Sequence, residues 1–277
     1  MYVHANVQVK NEALLLEDIL PEWAEYPIDR FIFLDDYSTD GSEEVIFDIL
    51  GPERAHVISG YTPMTFHEAK NRSAMLGFSR SSGADIVISL DVDELLTDPF
   101  IDYFDSIMTL ALKHKVLTYQ WNVVGSMRKV RQDNAYLANY RDFIFPVKLT
   151  KEYDLNQGRY HSPRTPPIDA PIKRLDDIHG FVHLQALNIR FYALKQLWYK
   201  TFEYVNYGKS VEEINAAYDP VVNNLEFNEI EIPGHVIGYD IVDPTVFDKL
   251  ADQRRYVDYI KENSVPGLIT FGEEFLK

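Results

Sequence analysis

Ile86-Val87-Ile88-Ser89-Leu90-Asp91-Val92-Asp93-Glu94 decides the reading of this chain, because an apolar run there ends in three carboxylates within four positions. A short continuous apolar run bounded by polar residues has the pattern of a strand buried on both faces in a parallel sheet. In an open α/β sheet, ligands bind outside the carboxyl ends of the strands, so these carboxylates fall where a ligand is expected. Alternate residues of an extended segment share a face, which lets Asp91 and Asp93 approach one hard cation together. Such a cation bridges a diphosphate and stabilises the charge that develops as a nucleotide departs. An Asp-x-Asp pattern alone is common, and its plain alternative is an acidic strand end that caps the next helix.

Upstream, the pattern repeats. Ala5 to Val9 alternates as a strand does, Lys10-Asn11-Glu12 breaks the alternation, and Ala13 to Trp23 has helical apolar spacing. Arg30 to Leu34 is a second short strand, Asp35 to Ser42 a polar acidic loop, and Glu43 to Leu50 a helix. Val57 to Ser59 and a helix over Phe66 to Ser81 complete three βα units before the acidic triplet. Strands alternating with helices predict a parallel sheet covered on both faces. Downstream, a helix is predicted over Phe100 to His114, then strands at Val116 to Val124 and Phe143 to Leu149, so hairpins replace the βα rhythm. Residues 156 to 171 hold Gly158, Pro163, Pro166, Pro167 and Pro171, the composition of a long surface loop. Residues 184 to 217 read as helical and aromatic-rich.

The 277 residues, 46% hydrophobic and 25% charged, suffice for one large domain or a domain with an appendage. The absence of cysteine excludes disulfides and thiolate metal sites. A net charge of −16 repels a phosphate backbone or an anionic membrane on average, so no nucleic-acid partner is expected. An acidic protein that handles an anionic nucleotide must neutralise it locally, and a divalent cation held by carboxylates does so. Glu12, Glu17 and Asp18 interrupt the only early apolar stretch, and no run approaches the ~20 apolar residues of a membrane span. A cytoplasmic protein is therefore expected. Tyr, Phe and Trp number 18, 16 and 3; their faces suit sugars and bases, although ordinary core packing accounts for most of them.

Four segments together resemble the glycosyltransferase A fold, in particular family 2 and family 92-like sequences. They are Val9-Lys10-Asn11-Glu12, Leu34-Asp35-Asp36-Tyr37-Ser38-Thr39-Asp40-Gly41-Ser42, Ala69-Lys70-Asn71-Arg72 and Leu90-Asp91-Val92-Asp93-Glu94. The resemblance covers about residues 3 to 125 and weakens beyond. It implies an α/β fold: a Rossmann-like mixed sheet flanked by helices, with a catalytic domain over 1-185 and a helical C-terminal extension over 186-277. The nucleotide-binding half would be about 1-125 and the acceptor half about 126-185. The implied activity is inverting transfer of a sugar from a nucleotide-sugar donor, UDP-sugar by default, to a saccharide or other hydroxyl acceptor, with Mn2+ or Mg2+ as cofactor. Asn11 and Glu12 would lie beside the nucleotide and Asp36 would contact its base. Asn71 and Arg72 would face the diphosphate and donor sugar. Asp91 would touch the ribose or metal, and Asp93 would bind the metal directly. Phe181-Val182-His183-Leu184-Gln185 resembles the segment carrying a later histidine of the metal site, which makes His183 a third ligand, with His179 and His161 as rivals.

An inverting transfer needs a general base within reach of the acceptor hydroxyl. The candidates are Asp142, His161 and Asp169, since the family's acidic pair before the acceptor helix has no clear counterpart. An aspartate-based phosphatase is disfavoured, because its motif ends the first strand and carries Thr or Val where Leu95 stands. A nucleotidyltransferase of sugar phosphates would need a glycine-rich phosphate loop that Val9-Lys10-Asn11-Glu12 lacks. A non-catalytic nucleotide- or carbohydrate-binding protein would share the same residues and differ only in turnover.

Overall fold

Strand β1 (Val3–Val9) is buried along almost its whole length and lies between β2 (Arg30–Asp35) and β4 (Ile86–Asp91), parallel to both. The computed structural model describes residues 1–60, 68–131, 140–155, 163–222, 229–234, 236–237, 241–250 and 252–276. The connections of β1 and β2 are helices α1 (Ala13–Glu25) and α2 (Ser42–Leu50); β3 (Ala55–Ser59) is parallel to β2, and α3 (Glu68–Ser81) returns the chain to β4. Phe66 and His67, the expected start of that helix, lie outside the described residues.

After β4 the chain makes β5 (Glu94–Leu96), α4 (Asp98–Asp102), α5 (Phe104–Ala111), β6 (Lys115–Val124), β7 (Lys129–Arg131) and β8 (Tyr140–Pro146). The single helix expected over Phe100 to His114 is two. Thr97 caps α4 by accepting a hydrogen bond from the Phe100 N–H at 3.3 Å, and the chain leaves helical geometry at Tyr103 (φ −105°, ψ 15°). Strand β8 is antiparallel to β4 and to β6, so the parallel half gives way to antiparallel pairing as the hairpin pattern predicted.

The last strands and helices are β9 (Ile172–Arg174), β10 (Gly180–Ala186), α6 (Ile189–Tyr207), α7 (Val211–Val222), β11 (Glu229–Glu231) and α8 (Asp252–Asn263). Leu184 to Ala186, expected to be helical, extend a strand instead; Asn188 starts α6 by accepting a hydrogen bond from the Phe191 N–H at 2.9 Å. Gly180 sits where only hydrogen fits: an added Cβ would come within 2.0 Å of the Tyr119 carbonyl oxygen.

Contacts divide the chain into two compact units, one of Met1–Trp121, Asn139–Val182 and Gly234–Gly238, the other of Asn122–Ala138, His183–Pro233 and Tyr239–Lys277. The first holds the sheet in the order β6-β8-β4-β1-β2-β3. Its core includes Trp23 stacked on Phe31, ring centroids 5.7 Å apart, with Phe33 beyond. In the second unit α6 packs on α7 and α8, and wholly buried Lys200 is held by Asp219 at 2.6 Å and the Thr270 hydroxyl at 2.7 Å. Among the described residues no helix is long and apolar enough to cross a membrane.

His4, on β1, is fully buried; its Nδ1 lies 3.2 Å from the Ser79 hydroxyl, and its Nε2 has no partner among the described residues. Burial, reinforced by Arg30 and partly offset by Asp29, lowers its pKa to about 4. The unfolded chain, with the ordinary value near 6.5, binds the proton more readily. The resulting stability is fully present above pH ~6.5 and is lost as the pH falls towards 4. Urea unfolding at pH 7.5 and pH 5 should therefore differ by about 2 kcal/mol more in the parent than in His4→Gln. Equal pH dependence in the two proteins would remove His4 from the acid response.

Candidate functional site

The parallel strands bring their carboxyl ends to one edge. Val9 is in register with Asp35, Asp35 with Ser59, and Gln8 with Asp91. The loops after β1 and β2 are knitted together there. The Asn11 side-chain oxygen accepts from the Thr39 N–H at 2.8 Å, and the Asn11 N–H donates to the Ser38 hydroxyl at 2.8 Å. Asp40 caps the start of α1 by accepting from the Ala13 N–H at 3.0 Å, and Ser42 accepts from the Glu12 N–H at 3.1 Å. Lys10 donates to the Asp36 carbonyl and lies 3.7 Å from its carboxylate. Asn11 and Tyr37 hold left-handed backbone angles, φ 52° and 62°, which non-glycine residues adopt at a cost. Each strained position directly follows one of the ion-paired residues, Asn11 after Lys10 and Tyr37 after Asp36, and the Tyr37 ring is exposed. Turn and capping chemistry thus accounts for part of the polarity read from these loops, while also fixing Asn11, Glu12 and Asp36 in place.

Helix α3 lays Asn71 and Arg72 against the same end of the sheet. Asn71 donates to the Gln8 side chain at 3.1 Å, and Gln8 is the residue paired with Asp91. Arg72, buried, donates to the Ser89 hydroxyl at 3.1 Å, while its Nε has no partner among the described residues. Burial thus takes Arg72 off the solvated face of the helix.

Val92 and Asp93 form the turn between β4 and β5, and Asp93 is largely buried. Glu94 is fully buried; its carbonyl accepts from the Trp23 indole N–H at 3.1 Å, and its carboxylate accepts from the Asp91 N–H at 2.9 Å. The α1 core residue thus ties down the acidic turn. Arg164, from the proline-rich loop, places its Nη1 at 2.7 and 2.6 Å from the two Glu94 oxygens and its Nη2 on the Asp91 carboxylate. Its guanidinium lies over the Phe143 ring, 4.4 Å from the centroid, and its carbonyl accepts from the Tyr153 hydroxyl at 2.8 Å. Burial pushes the Glu94 carboxyl up, Arg164 pulls it down, and Asp91 and Asp93 push it up again, with a net rise. Burial works against the charge on Arg164, but the three carboxylates together hold it more firmly protonated than a free guanidinium.

Asp142, on β8, ion-pairs with Lys115 and accepts from the Thr165 hydroxyl at 2.6 Å, one residue along the loop from Arg164. Both side chains line a half-open cavity of about 230 Å³, with Ala69, Tyr153 and Pro163 among its walls. His161 lies outside the described residues. Asp169 donates its backbone N–H to the Leu149 carbonyl at 3.4 Å. His183, on β10 in the second unit, has its Nδ1 2.9 Å from the Asn122 side-chain oxygen. His179 stacks edge-on with Tyr103. Among the described residues no group of three or more His, Asp or Glu side chains could hold a metal ion by itself. Asp91 and Asp93 instead offer what a hard cation needs when substrate phosphates complete its shell, namely one or two carboxylates.

Arg164 is the residue that pattern reading missed. It lies 70 positions from Glu94 in a loop marked by its prolines, and only the unmatched charge of the acidic triplet hinted at a cation opposite.

No protein-family model and no curated protein sequence matches the chain. Its structure is similar to that of S. aureus TarS 1-349, with TM-score 0.50 and 13% identity over 95% of this chain and 82% of that one. TarS 1-349 in complex with UDP-GlcNAc matches at TM-score 0.49 and 13% identity, covering 94% of this chain and 79% of that one. Glucosyl-3-phosphoglycerate synthase from Mycobacterium tuberculosis, with Mn2+, UDP and glucosyl-3-phosphoglycerate, matches at TM-score 0.33 and 19% identity over 45% of each chain. The fold is that of the glycosyltransferase A class: a mixed α/β sheet flanked by helices.

Proposed function

We propose that the chain is a metal-dependent glycosyltransferase that moves a sugar from a UDP-sugar to a saccharide or other hydroxyl acceptor, with inversion. The observation that carries this reading is the convergence at one sheet edge of Asp91, Asp93 and Glu94 with the Asp35–Ser42 loop and with Asn71 and Arg72. Asp91 and Asp93 are the residues that would hold Mn2+ or Mg2+. Such an ion, when bound, neutralises the charge that develops on the departing diphosphate. His183 is the further ligand that the resemblance implies.

The remaining work falls to the chain's own groups. Asp36, fixed beside Lys10, accepts hydrogen bonds from a base N–H, and Asn11 and Glu12 border the nucleotide. Arg72 brings an incompletely satisfied buried cation to the anionic part of the donor. In the transfer the acceptor oxygen bonds to the anomeric carbon, the bond from that carbon to the diphosphate oxygen breaks, and the acceptor proton passes to a base. Asp142 takes that role only if its contacts with Lys115 and Thr165 open; His161 and Asp169 are the other candidates. The loop after β1 contains no glycine, so it lacks the backbone cradle of a nucleotidyltransferase phosphate loop.

Thermal unfolding with nucleotides and UDP-sugars, with and without manganese, tests the reading. UDP at about 100 times its Kd should add about 2.7 kcal/mol, a rise of roughly 5 °C or more for a chain of this size, and only when manganese is present. No shift with any nucleotide plus manganese would reject it.

A further inference from the structure

We infer that Arg164 is a resident counter-cation of the acidic strand end, which yields Asp91 to an incoming divalent cation and turns its freed donors to the diphosphate while staying anchored on Glu94. The inference rests on the donor reading proposed above.

The two ends of the Arg164 contact are not equivalent. Nη1 is bound to both oxygens of Glu94, a carboxylate with 0% exposure whose position is fixed by the Asp91 N–H and, through its carbonyl, by Trp23. Nη2 is bound to Asp91, whose side chain is 34% exposed. Phe143 covers one face of the guanidinium, and Tyr153 holds the Arg164 carbonyl. Only the Asp91 contact therefore opens without exposing a buried charge, and Asp91 is the carboxylate that a cation at this strand end needs.

Charge points the same way. Three carboxyl groups, Asp91, Asp93 and Glu94, gather at this strand end around Arg164, the setting in which a divalent cation adds favourable charge. Once Asp91 serves the cation, Nη2 needs another anion, and a planar guanidinium suits phosphate oxygens. An independent feature also calls for an anion here: Arg72, buried two strand residues before Asp91 through its bond to Ser89, has an Nε with no partner among the described residues. Two guanidinium groups thus converge on the end of β4 in a protein of net charge −16.

A merely structural ion pair would lose manganese and UDP binding together when broken, or lose neither. A displaceable counter-cation separates them with opposite signs. Titration calorimetry of the 277-residue chain with manganese alone should show binding about tenfold tighter in Arg164→Gln than in the parent, because the guanidinium no longer competes for Asp91. UDP binding at saturating manganese should weaken about tenfold in the same variant. Arg164→Lys keeps the charge without the fork, so its manganese affinity should match the parent while UDP binding still falls; if Arg164→Gln does not fold, this variant decides alone. Parent protein that binds both ligands, with the variants moving the two affinities in the same direction or not at all, overturns the inference and leaves the proposed function standing. Parent protein that binds neither ligand overturns both.

Discussion

Replacing Glu94 by alanine should cost about 3 kcal/mol of stability, measured by urea unfolding at neutral pH, and should do so with no ligand present. The carboxylate is fully buried and receives both the Arg164 Nη1 and the Asp91 N–H. Truncation strands the Asp91 backbone donor and leaves Arg164 with its Asp91 contact in this cluster. Removing one partner of a buried pair costs about 3–5 kcal/mol when the survivor is left alone. The lower end applies because Arg164 keeps Asp91 and is 19% exposed. Two further variants locate the cause. Glu94→Gln preserves the shape and one acceptor, so it should lose less than alanine does. Glu94→Leu combined with Arg164→Met removes both charges and should recover most of the loss, since apolar replacements of whole buried pairs are often nearly neutral. A Glu94→Ala protein within about 1 kcal/mol of the parent would show that the pair does not hold the turn.

The same pair marks the limit of what the sequence discloses. Strand β4 was legible because a doubly covered sheet demands continuous apolar runs, and Ile86 to Leu90 has no other comfortable environment; β1 showed itself by alternation instead. The edge where a ligand is expected followed, since every parallel strand in a βα series ends on the same side. What pattern cannot supply is the partner of a charge. Arg164 reaches Glu94 across 70 residues, and Lys115 reaches Asp142 from another strand; neither distance leaves a periodicity. Local polarity is ambiguous in the opposite direction. Ser38, Thr39, Asp40 and Ser42 look like ligand contacts, yet much of their capacity is turned inward to hold the Asn11 turn and the start of α1. The helix expected over 184 to 217 began late because Gly180 to Ala186 is buried strand, where aromatic and branched residues serve either element and spacing does not distinguish them.

Asp93→Asn should separate binding from stability more sharply than any other single change. The substitution keeps the size and hydrogen-bonding outline of a largely buried turn residue and removes one negative charge. Asp91 and Glu94 stand close enough for that charge to matter, because Asp93 is among the groups that raise the Glu94 carboxyl and hold Arg164 protonated. Relieving like-charge repulsion should leave stability unchanged or slightly raised. Manganese-dependent UDP binding should fall roughly 100-fold, about 2.7 kcal/mol, because an amide is a poor substitute for a carboxylate on a hard cation. UDP binding without metal, however weak, should be unaffected. The pattern is opposite to that of Glu94→Ala, which lowers stability first and affinity only through the disturbed turn. Calorimetry in the presence and absence of manganese reads the affinity, and urea unfolding reads the fold. A Kd for UDP with manganese within threefold of the parent, in a protein of parental stability, would take Asp93 out of the metal site and move the cation to Asp91 alone.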